Sequence, residues 1–184
     1  MSERVVMSVV SSRDRIPLPT LRRRKFTRAR RHGLRVCRAD DALADYWSLL
    51  EATLRERHNV SPVHTLEEIE RLQCRFPESI QLYGCFDRDE LIAGVLIFES
   101  ACVARTQYIA AGERGRELCA LDLILHYLLN EVFAAKPYFD LGPSHDPATG
   151  AINVGLIEQK EGFGGRAVVQ DTYWIDLTER QGLR

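Results

Sequence analysis

The chain has 184 residues, 45% of them hydrophobic and 28% charged, with a formal net charge of −1. That composition is that of an ordinary soluble globular protein, and the length leaves room for one domain with a sizeable core and an appended arm. The near-neutral total conceals a division: residues 1–38 carry 12 Lys/Arg against Glu3 and Asp14, whereas residues 39–184 carry 13 against 24 acidic groups. This predicts a basic N-terminal arm, residues 1–35, joined to a more acidic domain, residues 36–184.

Five cysteines, Cys37, Cys74, Cys85, Cys102 and Cys119, show no C-x-x-C spacing and lie mostly in apolar patterns. Neither a metal site nor a disulfide framework is expected, and reduced thiols in a cytoplasmic protein are the simpler reading. The apolar run Val5 to Val10 follows Glu3 and is too short to span a bilayer, so no signal peptide and no membrane span are expected.

Residues 1–20, with Pro17 and Pro19 and no clear periodicity, read as loop. Leu21 to His32, dense in arginine and closed by Gly33, predicts a basic helix with a glycine cap. It is either a solvated charged helix or a surface for phosphate-bearing or acidic partners. Asp40 and Asp41 cap a helix to about His58, with Leu43, Tyr46, Trp47, Leu50 and Leu54 on one face. Thr65 and Glu68 have the spacing of a capping box at the start of the next helix. Gln81 to Phe86, Leu91 to Cys102 and Ala104 to Ala110 then read as an antiparallel meander, its first turn at Asp87 to Glu90.

Arg116 to Ala135 predicts one long helix, apolar on more than a stripe and therefore buried. Pro137 ends it, Tyr138 to Leu141 forms a short strand, and Gly142-Pro143 leaves Ser144, His145 and Asp146 on a loop. Those three are too close in sequence for a Ser-His-Asp relay. Ile152 to Glu161 reads as a helix, Gly162, Gly164 and Gly165 as a break with Phe163 turned to the core, and Val168 to Leu177 as a closing strand. On that strand Tyr173 and Trp174 alternate, one facing inward.

Three polar residues stand out here. Asp140 ends a strand, where it either caps the Gly142-Pro143 turn or orients an acceptor amine and takes its proton. Asn153 and Lys160 lie two helical turns apart and share a face, as a cap and a solvated ammonium or as a site pair. His64 reads as a contact at a helix start, and Asp122 with His126 as a local helix-face pair.

The segments RRRKFTRARRHGL, PVHTLEEIERL, YFDLG, NVGLIEQKEGFGG and DTYWIDL, in this order over residues 20–177, resemble the GNAT-like acyltransferases of the FemABX type. The branch resembled is linked to bacterial cell-envelope or exopolysaccharide biosynthesis. The resemblance implies an α+β, GNAT-like (acyl-CoA N-acyltransferase) fold, a mixed and mostly antiparallel sheet with helices on both faces. Such proteins usually hold two tandem GNAT-like domains, and this chain resembles the second with the linking basic helix.

The implied activity is acyl transfer from a thioester or carrier donor to an amine or hydroxyl acceptor, a small molecule or envelope precursor, with Asp140, Asn153 and Lys160 as catalytic candidates. The family's pyrophosphate loop, Q/R-x-x-G-x-G/A, maps onto Gly112 to Glu117 and makes Arg114, Gly115 and Arg116 the candidates for binding acyl-CoA. Gly112 and Glu117 depart from that pattern, and relatives of this type also use carrier-bound or tRNA-bound donors. The resemblance equally allows a catalytically weak module that docks through its basic arm. A homodimer is expected, and nucleic-acid binding is not, because no aromatic residues interleave the arginines as stacking platforms.

Overall fold

The computed structural model describes residues 3–145 and 150–175. Among the described residues seven strands form one sheet: β1 (Glu3–Ser11), β2 (Arg35–Arg38), β3 (Ile80–Asp87), β4 (Glu90–Glu99), β5 (Val103–Ala111), β6 (Tyr138–Pro143) and β7 (Arg166–Thr172). Their order is β2-β3-β4-β5-β6-β1-β7. Every neighbouring pair is antiparallel except β5 and β6, which run parallel.

Helices cover both faces. α2 (Leu43–His58) and α3 (Leu66–Arg75) lie on one, where Tyr46, Trp47, Leu50 and Ile69 pack against Leu82 and Leu96. α1 (Thr20–Arg31) and α5 (Ala120–Tyr127) cover the other, with Ala29, Ile124 and Leu128 over Tyr83, Val95 and Ile97. Adjacent strand residues therefore feed different cores, as the two-residue repeat of a strand demands. Each fully buried Leu or Ile adds about 1.5–3 kcal/mol of transfer free energy.

The local signals work where one element suffices to satisfy them. Thr65 Oγ1 accepts from the Glu68 N–H at 3.2 Å, and Glu68 Oε2 accepts from the Thr65 N–H at 2.8 Å, which is the expected capping box. The β3–β4 hairpin turns at Arg88 and Asp89, with Arg88 at φ 58°.

Several expectations are corrected, among them the Asp40/Asp41 cap: Asp40 begins a short turn, Asp40–Ala42, ahead of α2, and its Oδ1 accepts from the Leu82 N–H at 2.7 Å instead of capping the helix. The loop assigned to residues 1–20 contains β1, which lies between β6 and β7, with Met7, Ser8 and Val10 buried. The short strand β2, pairing with β3, was not foreseen either. The single helix over 116–135 is three pieces: α4 (Glu113–Glu117), α5, and a wider π turn, Leu128–Val132. Cys119, at φ 58°, breaks it after α4. Tyr173 and Trp174 lie past the end of β7 and are both exposed; Asp146 and residues 176–177 of the expected closing strand fall outside the described residues.

The basic segment is tied into the rest by charge as well as by hydrogen bonds. Arg22 of α1 donates to Asp122 of α5 at 2.8 Å, with both side chains nearly buried, and to the Gln159 carbonyl at 2.9 Å. Its guanidinium lies 4.0 Å from the centre of the buried Phe163 ring. Asp122 therefore pairs with Arg22, and His126 instead stacks on Phe26 at 3.8 Å, in place of the local Asp122–His126 contact. α6 (Val154–Glu161) is clamped by the same arginine.

Candidate active site

The parallel pair β5–β6 is short. Val103, Ala104 and Arg105 pair with Tyr138, Phe139 and Asp140, and there the pairing stops although both strands continue. A bulge explains the departure: Leu96 pairs with Tyr108 and Ile97 with Thr106, which leaves Gln107 as an extra residue in β5. An inserted residue bends its strand and strengthens its twist, so β5 swings away from β6 beyond that point. The last link is the Thr106 hydroxyl, donating to the Asp140 carbonyl at 3.3 Å.

The gap is a cavity of about 200 Å³ with apolar walls, Ile109 and Ala111 from β5, Leu141 from β6, and Leu121 and Leu125 from α5. Lys160, in the last turn of α6, enters the same cavity. The Lys160 side chain is buried, and its Nζ donates to the Gly142 carbonyl at 3.0 Å and the Pro143 carbonyl at 2.5 Å. Burial pushes its pKa down from 10.5 to about 8, with nearby Asp140 opposing the shift and Arg105 adding to it. An ammonium has three protons, and two are spent on these carbonyls.

Asp140 is buried in the middle of β6 and alternates with Leu141, which puts it on the side of the strand away from the cleft. Its Oδ1 accepts from the Gly142 N–H at 2.7 Å, and its Oδ2 lies 3.8 Å from Arg105 Nε. Gly142 itself sits at φ 80°, a conformation open to glycine at little cost. Asn153 is exposed and caps α6, its Oδ1 accepting from the Leu156 N–H at 3.0 Å. The structure thus brings Asp140 and Lys160 to one turn and leaves Asn153 at the far end of the helix.

Arg114, Gly115 and Arg116 are likewise divided. Arg114 reaches Asp87 at 3.1 Å and Glu117 at 3.5 Å, away from the cleft. Gly115 is pressed on β4, where a Cβ would lie 2.2 Å from the Ile92 carbonyl oxygen. Only Arg116 lines the cleft, with its guanidinium donating to the Ala111 carbonyl at 3.0 Å. His64 is a packing residue, its Nδ1 2.8 Å from the Tyr108 hydroxyl. Sequence reasoning missed Arg105, Gln107 and the Arg22–Asp122 pair; the strand and helix patterns carry no mark of any of them.

A mixed sheet opened at its one parallel pair, with helices on both faces, is the GNAT fold. The sequence matches the acetyltransferase (GNAT) domain family over residues 20–148, and the chain belongs to that family. Among solved structures it is similar to FemX, with TM-score 0.69 and 12% identity over 88% of this chain and 59% of that one. It is also similar to the C-terminal domain of a putative lysylphosphatidylglycerol synthetase from Agrobacterium fabrum, with TM-score 0.65 and 12% identity over 90% of this chain and 59% of that one. L-PGS from Bacillus licheniformis follows, with TM-score 0.62 and 11% identity over 89% of this chain and 57% of that one. The chain thus spans less than two thirds of the length of these structures. No curated protein matches the sequence. Among the described residues no helix is long and apolar enough to cross a membrane.

Proposed function

We propose that this chain transfers an acyl group from a thioester or carrier-bound ester to an amine or hydroxyl, with Lys160 as the group that stabilises the developing oxyanion. The observation that carries the reading is the buried Lys160 ammonium in the gap where β5 leaves β6. The apolar walls suit the slender arm of a pantetheine thioester, and the edge of β5 freed from β6 offers backbone groups along it. An acyl-CoA would supply an activated carbonyl; Ile109, Ala111 and Leu141 would hold its arm. The Gly112 to Glu117 segment fits a diphosphate poorly, because Arg114 is engaged elsewhere, Gly115 is filled from behind by Ile92, and Glu113 and Glu117 are acidic.

When an acceptor attacks the acyl carbon, charge builds on the carbonyl oxygen. A fixed cation in a site of low dielectric stabilises that charge without reorganising, an effect of about 2.7–4 kcal/mol for a single donor. Asp140 is a positioning residue: through the Gly142 N–H it fixes the turn whose carbonyl holds Lys160. The similarity of fold to FemX and to lysylphosphatidylglycerol synthetase domains supports an acceptor among cell-envelope precursors, and it makes an aminoacyl ester an alternative donor to acyl-CoA.

The test is thiol release from acetyl-CoA, a longer acyl-CoA and a phosphate-free N-acetylcysteamine thioester, against a panel of amines and sugar hydroxyls, with aminoacyl-tRNA as a parallel donor. Acceptor-dependent turnover with one donor class is expected. Absence of turnover with all of them contradicts the reading.

A further inference from the structure

Beside the apolar cleft lies a wider opening of about 470 Å³, bordered by α1, α2, α4 and α6. The two share Arg57, Ala111, Arg116, Leu121 and Gln159 on their walls and so lie against each other. The narrower cavity holds Lys160 among mostly apolar walls, and Arg57 and Arg116 stand on the border of both. The wider opening presents Lys25 from α1, Arg57 from α2 and Arg116 from α4.

The charges at this wider opening do not cancel. Arg22 and Asp122 neutralise each other at 2.8 Å, and Arg116 has a distant partner in Glu56 at 3.8 Å. Glu158 is the remaining carboxylate on the wall. Among the described residues Lys25 and Arg57 form no ion pair. Two of the three cations are guanidinium groups, whose planar forks bind phosphate oxygens in pairs. A mostly apolar cleft beside an opening bordered by three cations fits a ligand with a slender uncharged arm and a phosphate-bearing handle.

We propose that Lys25 and Arg57, joined by Arg116, form the subsite for the phosphates of the acyl donor, in place of the backbone groups of the Gly112 to Glu117 segment. The inference rests on the acyl-transfer reading of the cleft, and it assigns the basic helix α1 a share in the site through Lys25. A nucleotide thioester and the 3′ end of a tRNA carry the same phosphate chemistry on that handle.

Calorimetry on the full chain with coenzyme A, inorganic pyrophosphate and uncharged tRNA tests it. For the Lys25→Ala/Arg57→Ala double variant we expect Kd to rise about tenfold or more. The Arg28→Ala/Arg31→Ala variant removes equal charge from the outer face of α1 and should bind as the wild type does. Arg57→Gln, which keeps most of the stem, guards against a packing effect. Weakened coenzyme A and pyrophosphate binding supports the subsite and names a nucleotide thioester; weakened tRNA binding alone supports it and names an ester donor. Unchanged affinity in the double variant, an equal loss in the Arg28/Arg31 variant or in Arg114→Ala, or no binding of any probe by the wild type would overturn it.

Turnover of the phosphate-free thioester by the wild type is scored separately. No turnover with this thioester or with any donor of the panel above, while phosphate binding still depends on Lys25 and Arg57, sinks the acyl-transfer reading and leaves the phosphate subsite standing. Turnover with phosphate binding indifferent to Lys25 and Arg57 does the reverse.

Discussion

Asp140 and Lys160 hold the two polar groups of a single residue: Asp140 Oδ1 accepts the Gly142 N–H at 2.7 Å, and Lys160 Nζ donates to the Gly142 carbonyl at 3.0 Å. The carboxylate and the ammonium lie on different elements, β6 and α6, and meet through one peptide turn. Changing either alters the geometry of the other, so their effects on activity should not add.

Lys160 makes stability depend on pH in a defined direction. Its pKa falls from 10.5 in water to about 8 in the folded chain, chiefly by burial. Between those values the unfolded chain keeps a proton that the folded one has lost, so stability rises with pH across that window. Below about pH 8 both states are protonated, and the burial cost is constant. Denaturant unfolding of the wild type and Lys160→Met, compared at pH 7, 9 and 10.5, should show the wild type gaining on the variant as pH increases. A constant difference would mean that Lys160 titrates normally.

The same shift sets the pH dependence of activity. An oxyanion donor must keep its proton, so kcat/KM should fall as pH rises through about 8, the value to which burial brings Lys160. Asp140 and Arg105, the charged groups that bias it, are both part of that profile. A rate that rises through the same pH would assign the neutral amine as a general base.

Breaking the Arg22–Asp122 pair should be costly. With both side chains about 10% exposed, removing one leaves the other charged and without its partner, at about 3–5 kcal/mol. Arg22→Met and Asp122→Leu singly should each lower Tm sharply, while the double variant recovers most of the loss. A large loss in Arg22→Met and in the double variant, with little in Asp122→Leu, would show that the arginine acts mainly through Phe163 and the Gln159 carbonyl.

Two glycines should respond oppositely to alanine. At Gly115 the new Cβ would meet the Ile92 carbonyl oxygen at 2.2 Å, which forces α4 off β4 and costs about 1–3 kcal/mol. At Gly155, in α6, the nearest atom is Asn153 Oδ1 at 3.7 Å, so alanine should stabilise by about 0.5–1 kcal/mol. Thermal unfolding of the two variants reads both signs.

Elements defined by neighbours in sequence were legible, and those defined by distant partners were not. The α3 capping box needs only Thr65 and Glu68, and the β3–β4 hairpin only its own turn. β1 is a strand because β6 and β7 receive it, and both come more than a hundred residues later. The break at Cys119 carries no glycine or proline to announce it, and neither does the bulge at Gln107 that opens the cleft. Lys160 was visible as a residue but not as a buried one, since its acceptors, the Gly142 and Pro143 carbonyls, lie on another element. Asn153 was legible as a cap, which is what the structure shows it to be.

The account turns on Lys160, and the most direct measurement is turnover of a phosphate-free acyl thioester by Lys160→Met against the wild type, with folding of both checked by circular dichroism. Loss of the cationic donor predicts a fall in kcat of about 10²–10³ with little change in KM. A folded variant that turns over at the wild-type rate would contradict the assignment of the cleft.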